Sequence, residues 1–378
     1  MSGISSRGRN RMPVRPFAED DIPQVADLYW VVIRECEGPA PSTIQSSLQE
    51  LYFTNPWRDD RLPSLVYEEK GKIVGFLGVV PRRMSLRGQS LRVAFGGNFA
   101  VHPSFRTTLA GLNLLRTYMA GEQDLSQTDS ANDTSRALLE RLGFTTILPF
   151  SIHWVRPLRP ARFVTHAISR LTKSALAATL EFATRPLCSA ADSVATGLSS
   201  SPFHQTKPRL QGEELDVETL LGCMAESRAG YSLWLDYDLR SLNWLLSYME
   251  RRKAHGDLRK VVLRDASRKV LGWYMYYQKP GAVGEVVQIG GARQLTKDIL
   301  DHLFYDAWSH GVVALHGIVD RRLMGEFSEK NCLFTCRGRW MVAHSRKPEL
   351  LDLLTNGDAF LSRLDGELGL AFGGRSRS

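Results

Sequence analysis

The chain has 378 residues, 43% hydrophobic and 23% charged, which excludes a disordered, collagen-like or coiled-coil protein and leaves room for two domains. The formal charge is +8, but Arg7, Arg9, Arg11, Arg375 and Arg377 lie in polar ends, so the folded part is near neutral and no nucleic-acid partner is expected. No stretch reaches the roughly 18 apolar residues of a membrane span. The start has no apolar leader, and five scattered cysteines give neither a disulfide framework nor a metal set, so a cytoplasmic protein without metal is expected.

Residues 1–11 read as a disordered basic tail. From residue 12 the pattern becomes regular. A short strand over 12–17 is followed by a helix with Ile22, Val25, Tyr29 and Val32 on one face, opened by acidic cap chemistry at 18–21. A second helix starts at Ser42. Strands over 64–69 and 72–81 join through Lys70-Gly71, and a third extended run covers 91–102, where Pro103 stops the ladder. Helix 109–120, strand 125–128, helix 133–142 with Gly143 as its stop, and strand 144–156 complete a mixed α/β module over 12–156.

Residues 157–210 read as a helical linker with an apolar stripe at Val164, Ile168, Leu171, Ala175, Ala178 and Phe182. The stripe suits a membrane surface or, as the preferred reading, packing against the two domains. Residues 211–372 repeat the first layout: a hairpin over 260–264 and 270–278, strand 284–290, helix 295–309, strand 312–319 and helix 321–330, before a tail at 373–378. The stretch from Arg106 to Glu140 is echoed from Arg293 to Glu329, so a duplicated module is expected. Trp234, Tyr237, Trp244, Tyr248, Trp273, Tyr274, Tyr276 and Tyr277 read as core or as a platform for an acceptor.

The stretch from Asn98 to Leu112 carries chemistry. A strand ends at Pro103, a basic polar turn follows, and a helix begins. Backbone N–H groups at such a helix start, with the helix dipole, form an anion site suited to a pyrophosphate. Thr107 and Thr108 add hydroxyl donors, and Gly111 permits close approach. This loop, Arg106-x-x-Leu109-x-Gly111, resembles the Gln/Arg-x-x-Gly-x-Gly/Ala loop of the GNAT acyltransferase superfamily, with Leu109 in place of the middle glycine. A second phrase strengthens the resemblance. Asn132, Ser135, Leu138, Leu139, Gly143 and Phe144 fall at the spacing of that family's Asn-x-x-Ala-x-x-Leu-Tyr-x-x-x-Gly-Phe helix, with Leu139 where a general-acid Tyr is usual.

The resemblance implies an α/β (mixed α+β) fold of two GNAT-like modules, each a central mixed sheet flanked by helices, the second a degenerate copy. It implies that acetyl-CoA or another acyl-CoA binds along Phe99, Ala100 and Val101, at Arg106, Thr107, Thr108, Leu109, Ala110 and Gly111, and at Asn132 and Ser135. The implied reaction is acyl transfer to an amine of a small molecule or sugar. Strand 91–102 is expected to splay from 125–128, with a bulge near Ala100 or Val101 leaving the Val101 N–H to polarise the thioester carbonyl. Asp129 is the leading candidate to take the acceptor's proton, although Asp129-Ser130 also reads as cap chemistry; His102, Glu68 and Asn98 are weaker candidates. Two other readings stay open. One is a non-catalytic CoA-binding or scaffold protein, which the missing Tyr allows. The other is an aminoacyl-tRNA-dependent transferase, against which the near-neutral core counts.

Overall fold

The computed structural model describes residues 13–172, 179, 182–336 and 338–370. The two expected tails, and Ala175 and Ala178 of the linker stripe, lie outside the described residues. Among the described residues, no helix is long and apolar enough to cross a membrane.

The strands make two mixed sheets. The first opens with β1 (Val14–Pro16), β2 (Leu65–Glu69), β3 (Lys72–Leu86), β4 (Gln89–Val101) and β5 (Leu125–Ala131) in that order, all antiparallel neighbours except the parallel pair β4–β5. β3 runs past its expected end at Pro81. Its partner β2 gives out at Leu65, opposite Leu77, and the next partner on that side joins only at Met84, so Pro81 falls between two ladders and breaks neither. The β3–β4 hairpin then turns on Arg87 and Gly88, with φ of 48° and 87°, as a two-residue turn requires. Helix Ile22–Val32 and helix Ser42–Tyr52 cover one face of this sheet, burying Val25, Tyr29, Leu48 and Leu51 against Phe76 and Val80. Helix Ala110–Met119 covers the other, with Leu114 and Tyr118 against Leu77 and Val79.

The single strand expected over 144–156 is two. β6 (Thr145–Thr146) stays in the first sheet, a short 3-10 turn at Leu148–Phe150 carries Pro149, and β7 (His153–Pro157) crosses to the second sheet. The exchange is mutual. The second sheet holds β8 (Gln211–Glu214), β10 (Asp257–Arg264), β11 (Val270–Gln278), β12 (Val283–Gly291), β13 (Ala314–Ile318) and β14 (Leu333–Thr335), with β7 seated between β13 and β14. β15 (Trp340–His344), from the far end of the chain, returns to the first sheet and lies between β5 and β6. β9 (Leu233–Leu235) extends the end of β3 and is itself paired by β16 (Ala359–Phe360). Each sheet is therefore completed by the other half of the sequence, and a cut at 156 passes beside exchanged strands.

The linker helices depart from the preferred reading. Helix Pro160–Thr172 packs on helix Arg185–Gly197 through the buried carboxylate of Asp192, which accepts from Ala161 N at 2.8 Å and from Arg162 Nε at 2.9 Å. Val164, Ile168 and Phe182 of the stripe are exposed rather than packed against the domains. The aromatic residues Trp273, Tyr274, Tyr276 and Tyr277 are buried core, and Trp244 stacks on Tyr248 at 5.1 Å.

Candidate active site

β4 and β5 stay in register only over Val93–Leu125, Ala94–Ser126 and Phe95–Gln127, and then part. Past Gln127, β5 is held instead by β15, through Val342–Thr128 and Trp340–Ala131. The bulge that accompanies the splay lies earlier than expected. Phe76 faces Ala100 and Gly78 faces Gly97, so Asn98 and Phe99 together oppose Leu77. Asn98 takes a left-handed φ of 51°, and its Nδ2 donates to Tyr52 Oη at 2.8 Å. Gly78 makes room for that phenol, since a Cβ there would stand 2.0 Å from Tyr52 Oη. A tyrosine on a distant helix thus helps set the place of the bulge.

Val101 sits in the ladder opposite Gly75 rather than in the bulge. His102 N donates to Val74 O at 2.8 Å, and antiparallel pairs alternate, so the Val101 N–H points away from β3, toward the gap. The direction of this N–H follows from ladder alternation and not from a bulge at Val101.

The gap holds a cavity of about 210 Å³ lined by Gly96–Phe99, by Thr128 and Ser130–Asn132, by Ser135 and Leu139, and by Glu367. Of the residues expected to hold the acyl-CoA, Phe99, Asn132 and Ser135 line it. Asn132 Oδ1 accepts from Ser135 N at 2.8 Å and so caps helix Asp133–Arg141, while Leu139 is buried in the wall. Arg106, Thr107, Thr108 and Leu109 form an exposed turn outside the cavity, leading into the first helical turn at Ala110. Thr108 Oγ1 is engaged within the turn, donating to Phe105 O and accepting from Ala110 N. Gly111 serves a packing role: a Cβ there would lie 3.3 Å from Phe99 and 3.4 Å from Val101, so the glycine seats the helix on β4.

Residues 24–144, which hold the splay, the bulge and this loop, match the acetyltransferase (GNAT) family. The chain carries a GNAT acetyltransferase domain. Solved structures extend the likeness in fold beyond that domain. A probable N-acyltransferase from Enterococcus faecalis V583 is 13% identical with a TM-score of 0.57, covering 88% of this chain and 72% of that one. A GCN5-related N-acetyltransferase from Anabaena variabilis is 12% identical with a TM-score of 0.56, covering 87% and 71%. Saccharomyces cerevisiae N-myristoyltransferase with bound myristoyl-CoA is 10% identical with a TM-score of 0.51, covering 88% and 78%. No curated protein matches the sequence.

The carboxylate that lines the gap is that of Glu367, with Asp129 behind it. Asp129 lies in β5, and its Oδ1 accepts the backbone N–H of Glu367 at 2.9 Å. Glu367 opens the short helix Glu367–Leu370 and points its side chain at Gly97, where a Cβ would be 3.3 Å from Glu367 Oε1. Its Oε2 is buried and has no hydrogen-bond partner among the described residues. Burial, with Asp129 close by, pushes the Glu367 carboxyl up to about 7, against a smaller opposing pull from Arg339. His102, by contrast, accepts from Ser104 N and caps the turn at Pro103–Phe105.

The segment bearing Glu367 is pinned at several points. Arg363 is buried against Glu285, Asp365 accepts from Tyr237 Oη at 2.8 Å, and Leu370 O accepts from Tyr248 Oη at 3.3 Å. Gly366 lets this segment meet Asp129, since a Cβ there would fall 1.8 Å from Asp129 Oδ2. Gly366→Ala is expected to cost about 1–3 kcal/mol by overpacking and to lower turnover by displacing Glu367. A urea melt with unchanged midpoint in the variant would refute this.

Proposed function

We propose that this protein is an acyl-CoA-dependent acyltransferase that acylates an amine of a small molecule or sugar, acetyl-CoA being the simplest donor. The observation that carries the reading is the Glu367 carboxylate, which lines the gap between the splayed strands with one oxygen unpartnered. In this reading the acceptor amine attacks the thioester carbonyl, whose oxygen the Val101 N–H polarises. Glu367 takes the proton from the nitrogen, and the C–S bond breaks. Leu139 offers no proton, so the departing thiolate is protonated by water. Asp129 positions the Glu367 backbone and, by its charge, helps keep the base titrating near neutrality. The acyl-CoA bound to the yeast N-myristoyltransferase of like fold supports the choice of donor. The pyrophosphate is assigned to the amides of Gly111 and Leu112 in the first turn, beside the exposed Arg106. We place the reaction in the cytoplasm, where acyl-CoA is supplied.

Binding is the direct test. At a hundredfold excess over its dissociation constant an acyl-CoA should add about 2.7 kcal/mol of stability, with one site per chain by calorimetry. Gly111→Glu should abolish the shift, because the new carboxylate both crowds Phe99 and opposes the pyrophosphate. Melting curves unchanged by millimolar CoA and acyl-CoAs would overturn the proposal.

A further inference from the structure

A second cleft, of about 1070 Å³, lies at the far end of β3, away from the acyl site, with Arg82 in its wall. Arg82 is 2% exposed, and none of its three guanidinium nitrogens has a hydrogen-bond partner among the described residues. A buried cation without hydrogen-bond acceptors is unfavourable, because the water it loses is only partly replaced, here by the nearby Tyr237 hydroxyl and the charge of Asp365. The guanidinium is nevertheless held in a fixed plane, 3.6 Å over the ring of Trp57 and 5.5 Å from that of Tyr237. Trp57 is itself braced edge-on by Trp244 at 5.5 Å.

The neighbouring acids do not supply the missing acceptors. Asp59 accepts from Arg61 N, Asp60 pairs with Arg58, Asp236 accepts from Trp234 Nε1, and Asp238 caps a helix at Ser241 N. Asp365, behind the site, gives one oxygen to Tyr237 and the other to Ser362.

We infer that this cleft is an anion site, in which Arg82 grips a carboxylate or phosphate group of a small molecule through its paired N–H edges. A planar guanidinium forks onto two oxygens of such a group, and stacking on Trp57 preorganises it for that contact. The site is independent of the acyl-transfer reading, since it shares no wall with the acyl cavity.

The test is thermal shift and calorimetry on the full chain with inorganic phosphate and with malonate, at ionic strength held constant by chloride. Wild type should show a saturable rise in melting temperature with at least one probe, phosphate alone marking a phosphoryl site and malonate alone a carboxylate site. Arg82→Met should lose the rise entirely, yet melt no lower than wild type in chloride, since an unpaired buried charge has been replaced by an apolar chain. Arg82→Lys keeps the charge without the fork and should bind at least tenfold more weakly. No saturable rise in wild type with either probe overturns the inference. So does a rise that survives undiminished in Arg82→Met or, should that variant not fold, in Arg82→Lys.

Discussion

Glu367→Gln is expected to bind acyl-CoA as wild type does and to lose turnover by about 10²–10⁴-fold, the usual worth of a positioned general base. The measurement is thiol release at saturating acyl-CoA with any amine that serves as acceptor. In wild type the rate should climb with pH through about 7, because the carboxyl must be ionised to accept the proton. Asp129→Asn should remain active and move that limb to lower pH, since a neighbouring negative charge that raises the carboxyl has been removed. Stability carries the opposite sign. A carboxyl raised above its ordinary 4.5 binds its proton more tightly in the folded state, so Glu367 costs the fold nothing below 4.5 and increasingly more up to about 7. The glutamine variant should show a flatter stability profile over that interval. Full turnover in a folded Glu367→Gln protein would remove Glu367 from the chemistry.

Residues 13–160 expressed alone are not expected to fold, and the full chain is expected to melt in one cooperative transition. β15 occupies the place between β5 and β6, so the fragment would leave β5 unpaired on that side over the splayed stretch that walls the acyl cavity. Met341, Ala343, Leu350 and Leu354 belong to the same buried cluster as Val25, Leu48 and Phe76, and the fragment lacks all four. It also lacks Glu367. Circular dichroism and a denaturant titration decide the matter: a cooperative transition in the fragment would show that the first sheet closes without its borrowed strand.

The elements of the first half were legible in sequence because each is an amphipathic unit with local punctuation. Helix Ile22–Val32 and helix Asp133–Arg141 lie close to where their periodicity and caps put them. The splay was legible through the resemblance of the Arg106 and Asn132 phrases to a known family. The bulge was misplaced by two residues because its position depends on Tyr52 reaching Asn98 from another helix, a contact with no local signature. The exchange of β7 and β15 was hidden for the same reason, since pairing partners far apart leave no periodic mark. Asp129, read as an acid at a strand end, lies in β5 and holds the backbone N–H of Glu367. The group that faces the cavity was missed because it comes from position 367. One signal existed: in Leu364-Asp365-Gly366-Glu367-Leu368-Gly369-Leu370, two acids stand among apolar residues and glycines that allow close packing.

The exchanged strands also fix an order of events during synthesis. Gln127 waits for Ala343, more than two hundred positions later, before β5 has its second neighbour. A nascent chain therefore carries an open strand edge while most of the second half is made, the kind of edge that recruits other chains. Long-range pairings of this sort are slow to form even in the finished polypeptide. The stretch from Trp340 to Leu370 closes the first sheet and brings Glu367 to the cavity together, so a nascent chain that has not reached it has neither.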